Sequence, residues 1–196
     1  MLEEYWDEGG KIQWFGQTAS EREDFLRNIA TAAAHGAAGC YLHGGQTDHF
    51  HHTGRTEDMA RALEKIRASG MAAGFAAHQS GPHEWIRDNL DPDFQLCCYY
   101  DPSSRSEDPN HVPTDEEKFD PAHRDAMAET IRSLKCAAVH YKVLAAGRTP
   151  VAEAFEYVAG VIRPQDVVLV GMFLGDDPDM IAKDVALFEQ IVQPAL

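Results

Sequence analysis

Long hydrophobic runs are missing from this sequence. No segment approaches the ~18 uninterrupted apolar residues that a membrane-spanning helix needs. The acidic start, MLEEYWDEGG, lacks the basic and then apolar pattern of a signal peptide. A cytoplasmic protein with no membrane partner is therefore expected. Positive charge is short as well: 17 Lys and Arg stand against 32 Asp and Glu, a net charge of −15, so no nucleic-acid partner is expected for the surface as a whole. Cysteine is scarce, and Cys40, Cys97, Cys98 and Cys136 each lie in an apolar run outside any C-x-x-C pair, which predicts reduced core thiols rather than disulfides or a zinc knuckle. No G-x-G-x-x-G follows any apolar run, so the mark of a dinucleotide-binding open sheet is absent.

What the chain does have is a regular alternation of short apolar runs and amphipathic stretches. Its 196 residues can bury a substantial core as one domain, 1–196. Strands are predicted at Lys11 to Gly16, Ala37 to Leu42, Met71 to Ala77, Phe94 to Tyr100, Cys136 to Leu144 and Asp166 to Phe173. Helices are predicted between them. One is opened by the capping box Ser20-Glu21-Arg22-Glu23, one runs from about Thr56 to Ser69, and a short one lies around Pro82 to Leu90. Asp120-Pro121 and Thr149-Pro150 open two more, and the last, after Gly175 to Pro178, has Ile181, Val185, Phe188 and Val192 on its buried side. The acid-, Ser- and Pro-rich segment 102–120 is expected to act as a lid.

Units repeating about every 30 residues predict parallel pairing, because parallel strands need a crossover between them. Every predicted strand ends in a reactive side chain: Gln17, His43, His78, Tyr100 or Asp101, Lys142 and Met172. That pattern favours a ring of strands aimed at one site. The expected fold is thus α/β, a parallel (β/α) TIM-type barrel with six units, an incomplete barrel that lacks two upstream units or completes itself as a homo-oligomer.

The segments IQWFGQTA, YLHGGQTD, the strand ending in His78, HYKVLAAGR and VVLVGMF resemble the later six units of a group of bacterial (β/α)-barrel proteins loosely placed with aldo/keto reductases or xylose-isomerase-like barrels. The resemblance implies a barrel fold and imports no particular activity.

Three constellations carry chemistry. His43, Asp48 and His78 would stand on neighbouring strand ends, two imidazoles and a carboxylate suited to a divalent metal such as zinc, manganese or iron, or to substrate oxygens. The Asp48 loop also holds His49, His51 and His52, read as solvated. Next, His140-Tyr141-Lys142 would put His140 and Lys142 on one side of a strand by its period of two. A lysine there could serve as base, electrophile or Schiff-base nucleophile. Finally, Arg148 and the glycines of the last two units could hold an anion. Catalytic roles fall to Lys142, His140 and Tyr100, substrate positioning to Gln17, Asp101 and Arg148. The expected activity is an isomerase- or lyase-type reaction on a small carbonyl compound or sugar. A nicotinamide-dependent oxidoreductase using NADP and a non-catalytic ligand-binding barrel are the alternatives.

Overall fold

The computed structural model describes residues 2–19, 24–100, 119–175 and 177–196. Its centre is a six-stranded, all-parallel sheet: β1 (Phe15–Gln17), β2 (Gly39–Leu42), β3 (Ala72–Ala77), β4 (Phe94–Cys98), β5 (Ala137–Tyr141) and β6 (Val167–Val168), ordered β1-β2-β3-β4-β5-β6. Helices α1 (Leu2–Asp7), α2 (Phe25–Ala34), α3 (Gly44–His52), α4 (Thr56–Ala68), α5 (Ser80–Asn89), α6 (Pro121–Ser133), α7 (Val151–Ala159) and α8 (Met180–Ile191) precede, connect and follow the strands. Among the described residues no helix is long and apolar enough to cross a membrane.

The sheet is curled into a half-barrel. Phe15 on β1 and Phe94 on β4 meet edge to face with ring centroids 5.4 Å apart, although three strand spacings would hold their backbones ~14 Å apart in a flat sheet. A glycine makes this approach possible, since a Cβ on Gly74 would lie 2.3 Å from the Phe94 ring. The concave face carries Tyr41, Ala76, Leu96, Val139 and Tyr141. At its two ends Phe15 is 48% exposed and Val167 55%.

The convex face is covered. Cys40, Leu42, Ala73 and Phe75 pack against Ile29, Met59 and Ile66 of the helices, and Cys97 and Ala138 against Met127, Ile131, Phe155 and Val158. Each such large side chain, buried completely, contributes about 1.5–3 kcal/mol. The helix starts follow local chemistry. Asp120 caps α6 by accepting a hydrogen bond from the Ala122 amide at 2.8 Å, with Pro121 in the first turn. Asp24 caps α2 through the Arg27 amide at 2.9 Å, and the capping box expected at Ser20 to Glu23 lies outside the described residues.

Four expectations need correction. Residues 44–52 are helical rather than a loop, although Gly-Gly, Thr and Asp are weak helix formers; burial of Thr47, Asp48 and Phe50 outweighs that propensity. The sixth strand is only Val167–Val168, and the residues after it are exposed, Phe173 at 68%. Helix α8 turns Phe188 and Val192 inward as expected, but in its first half Ile181 and Val185 are half exposed while Asp184 is 6% exposed on the buried side. Last, β5 ends at Tyr141 because Lys142 takes a left-handed backbone with φ 58°. Strand alternation therefore stops before Lys142, and His140 does not share its side.

Left-handed backbone recurs just downstream, at Ala145 (φ 49°), Ala146 (φ 55°) and Gly147 (φ 80°). A non-glycine residue pays about 1–2 kcal/mol for that conformation. Ala146 is exposed, so Ala146→Gly removes the strain without opening a cavity. Offset in part by the extra freedom of an unfolded glycine, the change is expected to stabilise the fold by about 1 kcal/mol, read as a shift in the urea midpoint at unchanged slope. A clear loss of stability would contradict the left-handed turn.

Candidate functional site

The polar groups at the C-terminal ends of the strands fall into two neighbouring sets. In the first, His78 immediately follows β3, and Asp48 reaches it from the second turn of α3. The Asp48 carboxylate accepts the His78 backbone N–H at 3.1 and 3.3 Å and faces His78 Nδ1 at 2.7 Å. Both side chains are buried, with 2% of Asp48 and 8% of His78 exposed. An ionised carboxylate only accepts, so the ring proton sits on Nδ1 and the lone pair on Nε2. No described group hydrogen-bonds Nε2. The ring lies close to the Gly44 backbone, since a Cβ there would come within 2.8 Å of His78 Cε1.

His43 is near this pair in sequence but has other work. It caps α3 through Nδ1, which accepts the Gly45 amide at 3.1 Å, and its own amide donates to Thr18 Oγ1 at 2.9 Å. Among the described residues no three His, Cys, Asp or Glu side chains come together to hold a metal ion. The expected trio offers His78 Nε2 as its ready donor, because the Asp48 carboxylate is already committed to His78.

Tyr141 links this pair to the second set. Its ring stands edge-on to His78 at 6.4 Å, and its hydroxyl donates to the Ala77 carbonyl at 3.4 Å. Burial pushes its phenol well above the usual range and likewise raises the neighbouring Cys98 thiol, so both stay protonated. Cys98 is therefore no nucleophile. Lys142 follows, with Nζ 5.9 Å from the centre of the Tyr141 ring. It opens onto a cavity of about 840 Å³ between the β5 loop, the segment after β6 and α8, whose lining includes Thr149, Leu169, Met172, Phe173 and Asp184.

The other expected residues lie elsewhere. His140 points into the helix layer with 0% exposure; Tyr99 Oη meets its Nδ1 at 2.8 Å, and its Nε2 faces Asp166 at 3.3 Å. Placing it at the mouth was the error caused by the early end of β5. Tyr100 is also core, 2% exposed and edge-on to Phe119 at 5.6 Å. Arg148 stacks its guanidinium over Phe119 at 4.2 Å and bonds the Ala145 carbonyl, outside the cavity lining. Gln17 accepts the Tyr41 hydroxyl at 3.1 Å at the far end of the sheet. Asp101, with nearly all of the expected lid, lies outside the described residues. His49, His51 and His52 form the last turn of α3.

Sequence reasoning missed Tyr141 and Asp184. Tyr141 could not be chosen over His140 without the strand register. Asp184 did leave a signal, a carboxylate three residues after Ile181 within an apolar helical stripe. No family model, curated protein or solved structure matches the chain.

Proposed function

We propose that the sheet belongs to a TIM-type (β/α) barrel enzyme that moves a proton on a small carbonyl compound or sugar, an isomerase or lyase in kind. The observation that carries this reading is the Asp48–His78 pair at the C-terminal end of β3, with Nε2 as the base. The strand order, each beside its chain neighbour, and the curl support the barrel.

Nε2 of His78 takes the proton from carbon next to a carbonyl, and the imidazolium that forms is stabilised by the buried Asp48 carboxylate. The electron pair of the C–H bond moves onto the carbonyl oxygen as an enolate. Lys142 supplies the cation that meets this developing charge. Return of the proton to another face or carbon completes an isomerisation; loss of a group from the next carbon completes an elimination. Tyr141, kept neutral, holds the edge of the imidazole.

The test is solvent exchange. Aldoses, ketoses, oxo acids and amino acids are incubated with the protein in D₂O, and loss of the C–H signal is followed by proton NMR. A double variant, His78→Gln with Lys142→Met, serves as the blank. Exchange by the wild type alone supports the reading, and no exchange above the blank with any class sinks it.

A further inference from the structure

We infer that the cavity beside Lys142 takes an amino acid with an apolar side chain, its carboxylate at Lys142 and its ammonium at Asp184. This rests on the reading of Lys142 as a ligand-facing group and not on proton transfer at His78. The argument begins from Asp184. It lies on the buried side of α8 with 6% exposure and lines the cavity, and no described residue gives its side chain a hydrogen bond or an ion partner. Its carboxylate oxygens keep access to solvent, and the ammonium of a ligand in the cavity would supply the partner that no described residue gives. The chain had a cheap alternative: an alanine or leucine would continue the α8 stripe.

The charges around the cavity narrow the class. Lys183 and Asp177 also line it, but they pair with each other at 2.6 Å and cancel. That leaves one cation, Lys142, and one anion, Asp184, each without an ion partner among the described residues. A purely anionic ligand would leave Asp184 unanswered and a purely cationic one would leave Lys142. A zwitterion answers both. The rest of the lining is largely apolar, and Leu169, Met172 and Phe173 are exposed there. A sugar would leave these side chains against hydroxyl groups, whereas an aliphatic side chain covers them.

The left-handed backbone adds an independent point. Lys142 adopts φ 58° and Ala146 φ 55°, and both line the cavity. Strained non-glycine residues cluster where a ligand is held, because the conformation aims a side chain that an unstrained loop would not.

The test uses three molecules of one shape: L-leucine, 4-methylpentanoate, which lacks the ammonium, and 3-methylbutylamine, which lacks the carboxylate. Binding is measured by calorimetry. L-leucine is expected to bind at least tenfold more tightly than either analogue, since each charged hydrogen bond lost costs that factor or more. Asp184→Asn should weaken L-leucine at least tenfold and leave 4-methylpentanoate unchanged, while Lys142→Met should weaken L-leucine and spare 3-methylbutylamine. The second variant sits at the opening, so it reports even if the first fails to fold.

Equal binding of the three compounds, no saturable binding of L-leucine, or indifference to both substitutions would overturn the inference. His78→Ala separates it from the catalytic reading. Leucine binding that survives in this variant supports the cavity assignment whether or not the wild type catalyses exchange, and binding that disappears with the imidazole overturns it. Exchange on other compounds without leucine binding would leave the catalytic reading standing and this one refuted.

Discussion

Asp166→Ala is expected to lower folding stability by about 3–5 kcal/mol, the usual cost of removing one partner from a buried charge network. Asp166 accepts from the Ala138 amide at 2.8 Å, from the Arg163 amide at 3.0 Å and from Arg163 Nε at 2.9 Å, and it faces His140 Nε2 at 3.3 Å. Its side chain and that of His140 are both 0% exposed. Arg163 also donates to the Cys136 carbonyl at 2.8 Å, so one carboxylate joins the entry of β6 to the interior of β5. Alanine leaves Arg163 and His140 without their acceptor. The fall in Tm should be roughly 6–20 °C. Asp166→Asn retains an acceptor for Ala138 and should fall between the two. A loss of less than about 1 kcal/mol for the alanine variant would show that the network contributes little.

The same residue predicts a pH dependence. Burial raises the Asp166 pKa, but hydrogen bonds from His140, from Arg163 and from the Ala138 and Arg163 amides outweigh it and hold the carboxyl well below the usual carboxylate range. A folded pKa below the unfolded one means that the unfolded state binds the proton first. The stability that Asp166 contributes is therefore full above the unfolded value of about 4 and drains away as pH falls below it. The difference between wild type and Asp166→Asn should be flat from about pH 6 upward and narrow below about pH 4. A gap that widens on acidification would reverse the sign of the argument.

The second large effect concerns chemistry. His78→Gln is expected to slow proton exchange by about 10²–10⁴-fold, the usual contribution of a general base. In the proposed proton transfer Asp48 is a positioning residue, so Asp48→Asn should reduce kcat with little change in KM. An Asp48→Asn enzyme with unchanged kcat would mean that the carboxylate only braces the turn. Stability measured alongside separates the two, since Asn can still accept the His78 amide.

Much of the frame was legible in the sequence, because apolar runs and helical stripes follow from burial alone. Strand adjacency put His43 and His78 at one level with Asp48 a loop away, and of the other two it is Asp48 that meets His78. The route by which Asp48 arrives was not legible. Nothing in GGQTDHFHH announces a helix, and its packing against β3, α4 and α5 makes one. His140 was misplaced for a single backbone reason. The left-handed turn at Lys142 breaks the alternation, and no local rule marks lysine for that conformation. Only the first half of α8 was misjudged, because the apolar residues Ile181 and Val185 outweighed the carboxylate between them, although Asp184 is the one the fold encloses.

The strand order has a consequence for how the molecule is made. Each strand pairs with the one synthesised just before it, so every pairing closes a loop of one βα unit and none waits for a distant segment. Closure entropy rises by only about 0.6 kcal/mol per doubling of loop length, so no single closure step dominates the barrier. As the chain leaves the ribosome, β2 can dock on β1 before β3 exists, and each new unit finds an edge ready to receive it. Folding is expected to proceed as a wave from the amino end, with His78 in place before Lys142 has been translated.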